Sequence, residues 1–190
     1  MKARSRRAEK GATLIVVILV SAFMLAVGVA IMMITGTGPK VSVNVRNQNE
    51  AFNAAEAGFE AARLAIEGFF LDGVWQSLNE NCLREPAGID LPAESLYFRK
   101  LTDEEILQTV NSGDLGVVFF DQPFIQNQSG QFDPRYTYTV FLIDDEAGGG
   151  TPDLTDVLMV CIGVVRIGNR VVSTARLEVL IGVDSAESAP

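Results

Sequence analysis

The stretch DVLMVCIGVVRIGNRVVSTARLEVLIGV, residues 156–183, decides the fold class of this 190-residue chain. Two runs rich in β-branched and aliphatic residues, 156–167 and 170–183, flank the dipeptide Gly168-Asn169. Runs of this composition separated by two turn-forming residues are typical of a β-hairpin. The C-terminal part of the chain is therefore predicted to form antiparallel β-structure.

The turn also predicts which side chains share a face of the hairpin. With Ile167 opposite Arg170, residues of the two strands face each other in pairs. One face then carries Val160 opposite Leu177 and Ile162 opposite Ala175, and the other carries Cys161 opposite Arg176 and Met159 opposite Glu178. Because the first set is apolar, we expect that face to be buried.

Shorter elements precede the hairpin. YTYTVFLI, residues 136–143, has the composition of a strand, and LGVVFF, residues 115–120, is a further strand candidate. Thr102 and Glu105 have the spacing of a capping box, which predicts the start of a short helix. The sheet is therefore expected to contain more than the C-terminal hairpin.

An apolar run without any charge, Ala12–Ile34, lies near the N-terminus. As a helix of about 34 Å it is long enough to cross a bilayer core of about 30 Å. Residues 1–10 carry five basic side chains against one acidic, and this asymmetry predicts that the N-terminus stays in the cytoplasm and the rest lies outside. The run predicts a single-pass anchor rather than a removed secretory signal, whose apolar core is shorter.

A second helical pattern follows the anchor. Apolar residues recur at spacings of three and four between positions 51 and 66, and they are Phe52, Ala55, Phe59, Ala62 and Ile66. The stripe and the small residues around it suit packing either on a sheet or on neighbouring helices. Gly36, Gly38 and Pro39 predict a kink or short unwound stretch near 36–39. The predicted fold is α+β, with the long N-terminal helix on one side of the C-terminal sheet, where it would cover the face of Val160 and Ile162.

Composition excludes several function classes. The chain has no histidine, so Ser-His-Asp and Cys-His catalytic sites are excluded, and no enzyme activity is predicted. The net charge is −9, and beyond the basic N-terminus the chain is more acidic still, which argues against nucleic-acid binding. These features favour a membrane-anchored binding or assembly protein.

The N-terminus resembles the class III signal of type IV pilins and pseudopilins. The resemblance is carried by Glu9-Lys10-Gly11 followed by ATLIVVILVSAFMLAVGVA. It implies that a prepilin peptidase in the inner membrane cuts between Gly11 and Ala12. The leader would be residues 1–11, the transmembrane and assembly helix 12–34, its continuation 35–70, and the extracytoplasmic domain 71–190.

NVRNQNEAFNAAEAGFEAARLAIE, residues 44–67, is similar to the segment after the anchor in PilX-type pilus assembly proteins. Most major pilins have a glutamate fifth after the cleavage site, whereas this chain has Val16. The resemblance therefore implies a minor pilin, with other pilins and minor pilins as partners, that reaches the pilus and cell surface after assembly. Two alternatives stay open: a pseudopilin of a type II secretion system, and an anchored exodomain that binds a ligand or calcium and never assembles.

Two further groups of residues have the chemistry of a site. Acidic side chains converge in DDEAGGGTPDLTD, and oxygen-rich loops of this kind suit calcium, so the candidate ligands are Asp144, Asp145, Asp153 and Asp156. Cys82 and Cys161 would lie in an oxidising compartment, where a disulfide between them is one reading and two separate thiols the other. No cofactor other than calcium is predicted.

Overall fold

The computed structural model describes residues 5–71, 82–144 and 156–182. Its helices are α1 (Ser5–Leu71) and α2 (Asp103–Thr109), and its strands are β1 (Val117–Pro123), β2 (Tyr136–Ile143), β3 (Asp156–Ile167) and β4 (Arg170–Gly182). The strands form one antiparallel sheet in the order β1-β2-β3-β4. The predicted α+β fold, with a long N-terminal helix packed on an antiparallel sheet, is confirmed.

The chain divides into two compact units, Met1–Val45 and Arg46–Pro190. The first unit is the N-terminal part of α1. Its backbone is helical across residues 35–39, so the predicted unwound stretch there is wrong. One glycine or proline costs about 1 or 3 kcal/mol inside a helix, and long helical arms on both sides can absorb that cost because helix propagation is cooperative. The predicted kink near 36–39 is compatible with a continuous helix and stays a prediction.

In the second unit, the small residues of α1 pack on the sheet. The buried residues of this arm are Ala51, Ala54, Ala55, Gly58, Ala62 and Ile66. The predicted stripe is thus confirmed at Ala55, Ala62 and Ile66, but Phe52 is 44% exposed and Phe59 is half-buried. The helix face that meets the sheet is rotated towards the alanines.

The close approach of helix and sheet explains this rotation. A Cβ atom placed on Gly163 of β3 would collide with the backbone of Ala51 and Ala55 and would lie 2.9 Å from the Cβ atom of Ala54. On the helix, a Cβ atom placed on Gly58 would lie 3.0 Å from the ring of Tyr138. Because there is no room between the backbones for a large side chain, phenylalanine cannot occupy this face.

The β3–β4 register corrects the predicted faces. Ile167 pairs with Arg170 as expected, but a register shift between Val165 and Arg166 moves every later pair by one residue. Val160 therefore pairs with Glu178, Ile162 with Arg176 and Cys161 with Leu177. The extra residue is Val172 of β4, which falls between the partners of Val165 and Arg166.

Both faces of β3 are buried, each against a different cover. The face that carries Cys161 and Met159 packs with Ala62 and Ile66 of α1. The opposite face, which carries Val160 and Ile162, packs with α2 and the segment before it. The core residues contributed by that segment and by α2 are Leu83, Ile89, Phe98 and Ile106. The face predicted to lie under the long helix is therefore covered by the short one.

The short helix α2 is fixed by a cap at its first turn and by a side chain of β4. Thr102 caps it, with the capping box to Glu105 formed as predicted. Arg176 of β4 donates to Asp103 at 2.7 Å and to the carbonyls of Phe98 and Leu101 at 3.1 and 3.0 Å. The guanidinium thus satisfies the exposed carbonyls of the segment before α2 and fixes that segment to the sheet.

Candidate functional site

The most unusual surface of the chain is the apolar segment Thr13–Met33 of α1. It has 21 residues with a mean hydropathy of 3.0, and none of it is buried. Among the described residues it is the one helix long and apolar enough to cross a membrane. At about 1.5 Å per residue it spans about 31 Å, which matches a bilayer core of about 30 Å.

The exposed apolar surface is too large to be left in water. Within this segment the large hydrophobic side chains, from Leu14 to Met33, are between 38% and 78% exposed. Full burial of one such side chain is worth about 1.5–3 kcal/mol, so covering the whole set is worth on the order of tens of kcal/mol. A surface of this kind is suited to contact with lipid or with other apolar helices.

Val16 lies inside this segment and is 58% exposed. A carboxylate at this depth would need a partner, because an isolated charge in hydrocarbon is costly. With valine here, the segment presents an uninterrupted apolar surface from Thr13 to Met33. The predicted cleavage pair, Gly11 and Ala12, falls within the helical range of α1, and cleavage there stays a prediction.

The arm of α1 that follows presents a different outer surface. Ion pairs join Arg46 to Glu50, and Arg63 to both Glu60 and Glu67, at 4.0, 3.2 and 3.8 Å. Exposed pairs of this kind contribute at most a few tenths of a kcal/mol each. Phe52 lies on this outer surface rather than against the sheet. The outer face is thus mainly polar, with Phe52 and the 61% exposed Leu64 as large apolar side chains available for contact.

The predicted calcium ligands are only partly within the described residues. Asp144 follows β2 and Asp156 begins β3, so the two lie at the ends of one hairpin connection. Asp145 and Asp153 lie outside the described residues. Within residues 5–71, 82–144 and 156–182, no group of three or more metal-ligating side chains comes together. The calcium site stays a prediction.

Cys82 and Cys161 are both buried in the apolar cluster beneath α1, and they are not bonded to each other in this structure. The sheet explains why. Leu83 donates to the carbonyl of Leu142 on the β1 side of β2, whereas Cys161 lies in β3 on the other side of β2. Two strand spacings, about 9.6 Å, exceed the distance that a disulfide bridges. Burial raises the pKa of the Cys161 thiol to about 12, which keeps it protonated.

A comparison with protein families identifies the N-terminal part of the chain. Residues 10–60 match the family model for the PilX N-terminal domain. The similarity covers these 51 of the 190 residues, and we call them the PilX N-terminal segment. No curated protein and no solved structure matches the chain.

The PilX N-terminal segment unites the two surfaces described above. It contains the whole apolar span and the first part of the arm that packs on the sheet. The resemblance to PilX-type proteins is thereby confirmed for residues 10–60, and the match supports a type IV pilus-related role. This family is a structural pilin family, which favours an assembly surface as the candidate site.

Sequence reasoning missed three residues that set the helix position: Ala54, Gly58 and Gly163. The signal for Gly163 was present, since glycine inside a strand often marks close approach of another backbone. The signal for Ala54 and Gly58 was obscured because Phe52 and Phe59 dominate any hydrophobicity pattern. The missed residues are all small, and their contribution to packing depends on a partner that is far away in the sequence.

Proposed function

We propose that the chain is a minor pilin of the PilX type, a subunit for assembly of a type IV pilus. Its N-terminal helix would enter the filament or its tip or priming complex, and its sheet domain would stay outside. The observation that carries this proposal is the fully exposed, charge-free span Thr13–Met33 within a PilX N-terminal segment. No catalytic step is assigned to it.

The apolar span suits two successive environments. Before assembly it would lie in the inner membrane as a single pass, with the basic N-terminus in the cytoplasm and the sheet domain outside. In a filament the same side chains would be covered by apolar helices of other pilins and minor pilins. Either environment removes the large apolar surface from water. Moving the helix from the membrane into the filament would therefore cost little free energy compared with exposing it to water.

Val16 favours a minor subunit over a main one. A carboxylate at this position would have to meet a positive group of a neighbour when the helix enters a bundle. Valine has no charge to pair, so this helix does not need an earlier subunit with a matching positive group. A subunit at a filament tip or in a priming complex would fit that property.

Processing tests the proposal directly. We expect intact-mass measurement to show loss of residues 1–11 in cells that contain a prepilin peptidase and an unchanged N-terminus in cells that lack it. Gly11→Val should block this loss by placing a branched side chain at the cleavage site. Gly28→Val is the matched control, because no atom lies within 4 Å of a Cβ placed on Gly28.

An N-terminus at Met1 in cells with active peptidase would contradict the pilin proposal and favour an anchored exodomain. A processed chain that is absent from sheared pili but required for protein secretion would favour the pseudopilin alternative.

A further inference from the structure

The two edges of the sheet are built differently. The β1 edge is irregular: its pairing with β2 is interrupted twice, Asp121 has a positive φ of 48°, and Pro123 has no N–H. Bulges and proline are devices that prevent another strand from adding to an edge. The β1 edge is therefore closed to strand addition.

The β4 edge has no comparable protection beyond its first residues. The carbonyl of Thr174 accepts a hydrogen bond from Nε2 of Gln48 at 3.2 Å, so the backbone of Thr174 faces away from β3. From Thr174 to Gly182 the pairing with β3 is regular. Because backbone groups alternate in direction along a strand, Arg176, Glu178, Leu180 and Gly182 also face outwards.

These outward groups are open in the part of the chain that the structure describes. Gln48 is the one residue of 5–71, 82–144 and 156–182 that bonds to the outer backbone edge of β4. Beyond Gln48, the segment from Arg176 to Gly182 offers its N–H and C=O groups as a regular row. Leu180, in the middle of this row, is 54% exposed.

We propose that β4 accepts an extended segment of a different protein, which adds to the sheet as a fifth strand beside Arg176–Gly182. Antiparallel addition continues the ladder and is the more stable arrangement. On the α1 side the new strand would lie beside Leu177 and Ile181, which belong to an apolar cluster, so its side chains there would be apolar.

The charge of the domain predicts which side chains the new strand carries on the face that points away from α1. The charged side chains of β4 on that side, Arg176 and Glu178, are already paired with Asp103 and Arg99, so the charge of the wider domain decides. Residues 46–190 contain nine basic and 23 acidic side chains. Lysine or arginine at the positions of the new strand that do not face α1 would favour its binding to this acidic domain. The expected partner segment alternates apolar and basic residues.

A second copy of this chain is a poor occupant. Two copies joined β4 to β4 would be related by a two-fold axis, which would make their α1 helices run in opposite directions. The same strongly acidic domain would then meet its own copy across the joint, and like charges repel. A copy in the same orientation would present its β1 edge, which is irregular.

The test uses the full chain in neutral detergent micelles and a labelled peptide of about eight residues with alternating valine and lysine. The control peptide has the same composition with its valines grouped. Residue-resolved amide exchange should show that the N–H groups of Arg176, Glu178 and Leu180 exchange quickly and become protected when the alternating peptide binds. The N–H of Val179, which faces β3, should stay protected throughout.

Two variants separate backbone from side-chain contacts. Leu180→Pro removes an outward N–H, replaces the leucine side chain and leaves the N–H groups that face β3 in place, and it should weaken peptide binding about tenfold. Leu180→Ala also removes the leucine side chain but keeps that N–H, and it should bind nearly as well as the original chain. The thermal unfolding midpoint of each variant reports whether it is folded.

Four results would overturn the inference: protection of the outward amides without peptide, equal binding of both peptides, self-association that protects these amides, or unchanged binding by folded Leu180→Pro. The exchange measurement on the original chain decides the question even if Leu180→Pro does not fold. None of these results depends on cleavage at Gly11, so failure here is distinguishable from failure of the pilin proposal.

Discussion

Gly163→Ala is the most direct test of how α1 is held on the sheet. The added Cβ atom would lie 2.9 Å from the Cβ atom of Ala54, and ordinary contact begins at 3.4 Å. It would also collide with backbone atoms of Ala51 and Ala55, which cannot rotate away as a side chain does. The helix must therefore move away from β3 by more than the half ångström that Ala54 alone requires.

That movement opens a gap along the buried face of the helix. Ala51, Ala54, Ala55 and Ala62 have no solvent-accessible surface in the structure. A gap of about 0.5–1 Å forfeits a quarter to a half of the attraction at each contact, and overpacking typically costs about 1–3 kcal/mol. We expect a loss at the upper end of that range, which lowers the unfolding midpoint by about 4–10 °C.

The assay is thermal unfolding of the full chain in detergent, followed by circular dichroism and by the labelling rate of the buried thiol of Cys161. Gly182→Ala is the matched control within the sheet, because no atom lies within 4 Å of a Cβ placed there. Restricting backbone freedom at that site should raise stability slightly or leave it unchanged. A Gly163→Ala chain as stable as the control would refute the close approach of α1 and β3.

Three further outcomes follow from the same structure. Gly58→Ala should change stability by less than about 1 kcal/mol, because the gain in helix propensity opposes contacts at 3.0 and 3.1 Å with Cδ2, Cγ and Cβ of Tyr138, which a shift of a few tenths of an ångström relieves; thermal unfolding measures this, and a loss as large as that of Gly163→Ala would contradict it. The backbone N–H of Thr102 and, second to it, the Thr102 hydroxyl donate to the Glu105 carboxylate and lower the pKa of Glu105 below its ordinary 4.5. This stabilisation is complete above pH 4.5 and is lost as pH falls through the lowered pKa, and Thr102→Ala removes the part that the hydroxyl supplies. Unfolding midpoints between pH 7 and pH 3 should therefore fall less steeply in Thr102→Ala, which starts about 1 kcal/mol less stable, and an equal slope would count against the capping box. Maleimide without reductant should leave Cys82 and Cys161 unlabelled in the folded chain and label both after denaturation, whereas failure to label either in denaturant would demonstrate a bridge.

Local signals in the sequence predicted the elements well. The hairpin turn at Gly168-Asn169 is formed with Ile167 opposite Arg170, and the capping box at Thr102 starts α2. Each of these depends on residues within a few positions of one another, so composition and spacing contain enough information. The predicted strands 136–143 and 156–167 are confirmed at the same bounds.

Non-local constraints explain what the sequence did not predict. The shift at Val172 moves the register by one residue, and the valine that causes it resembles every other strand residue. Both faces of β3 are buried, so the hydrophobic pattern contained no signal to reveal the slip. The buried face of the helix was predicted from its largest apolar side chains. The close approach at Gly163, about a hundred residues further along the chain, leaves room only for its smallest ones.

The packing of α1 also decides between the two roles that its small residues suit. Ala51, Ala54, Ala55 and Gly58 face the sheet and are fully covered, so they are not available to a neighbouring helix. In the proposed assembly, contacts of this arm with other subunits would use its outer face, where Phe52 and Leu64 are large apolar side chains, 44% and 61% exposed, among paired charges. The small residues and Phe52 of the PilX N-terminal segment therefore have different partners. The alanines pack on the sheet of their own chain, and in the proposed assembly the phenylalanine would contact a neighbouring subunit.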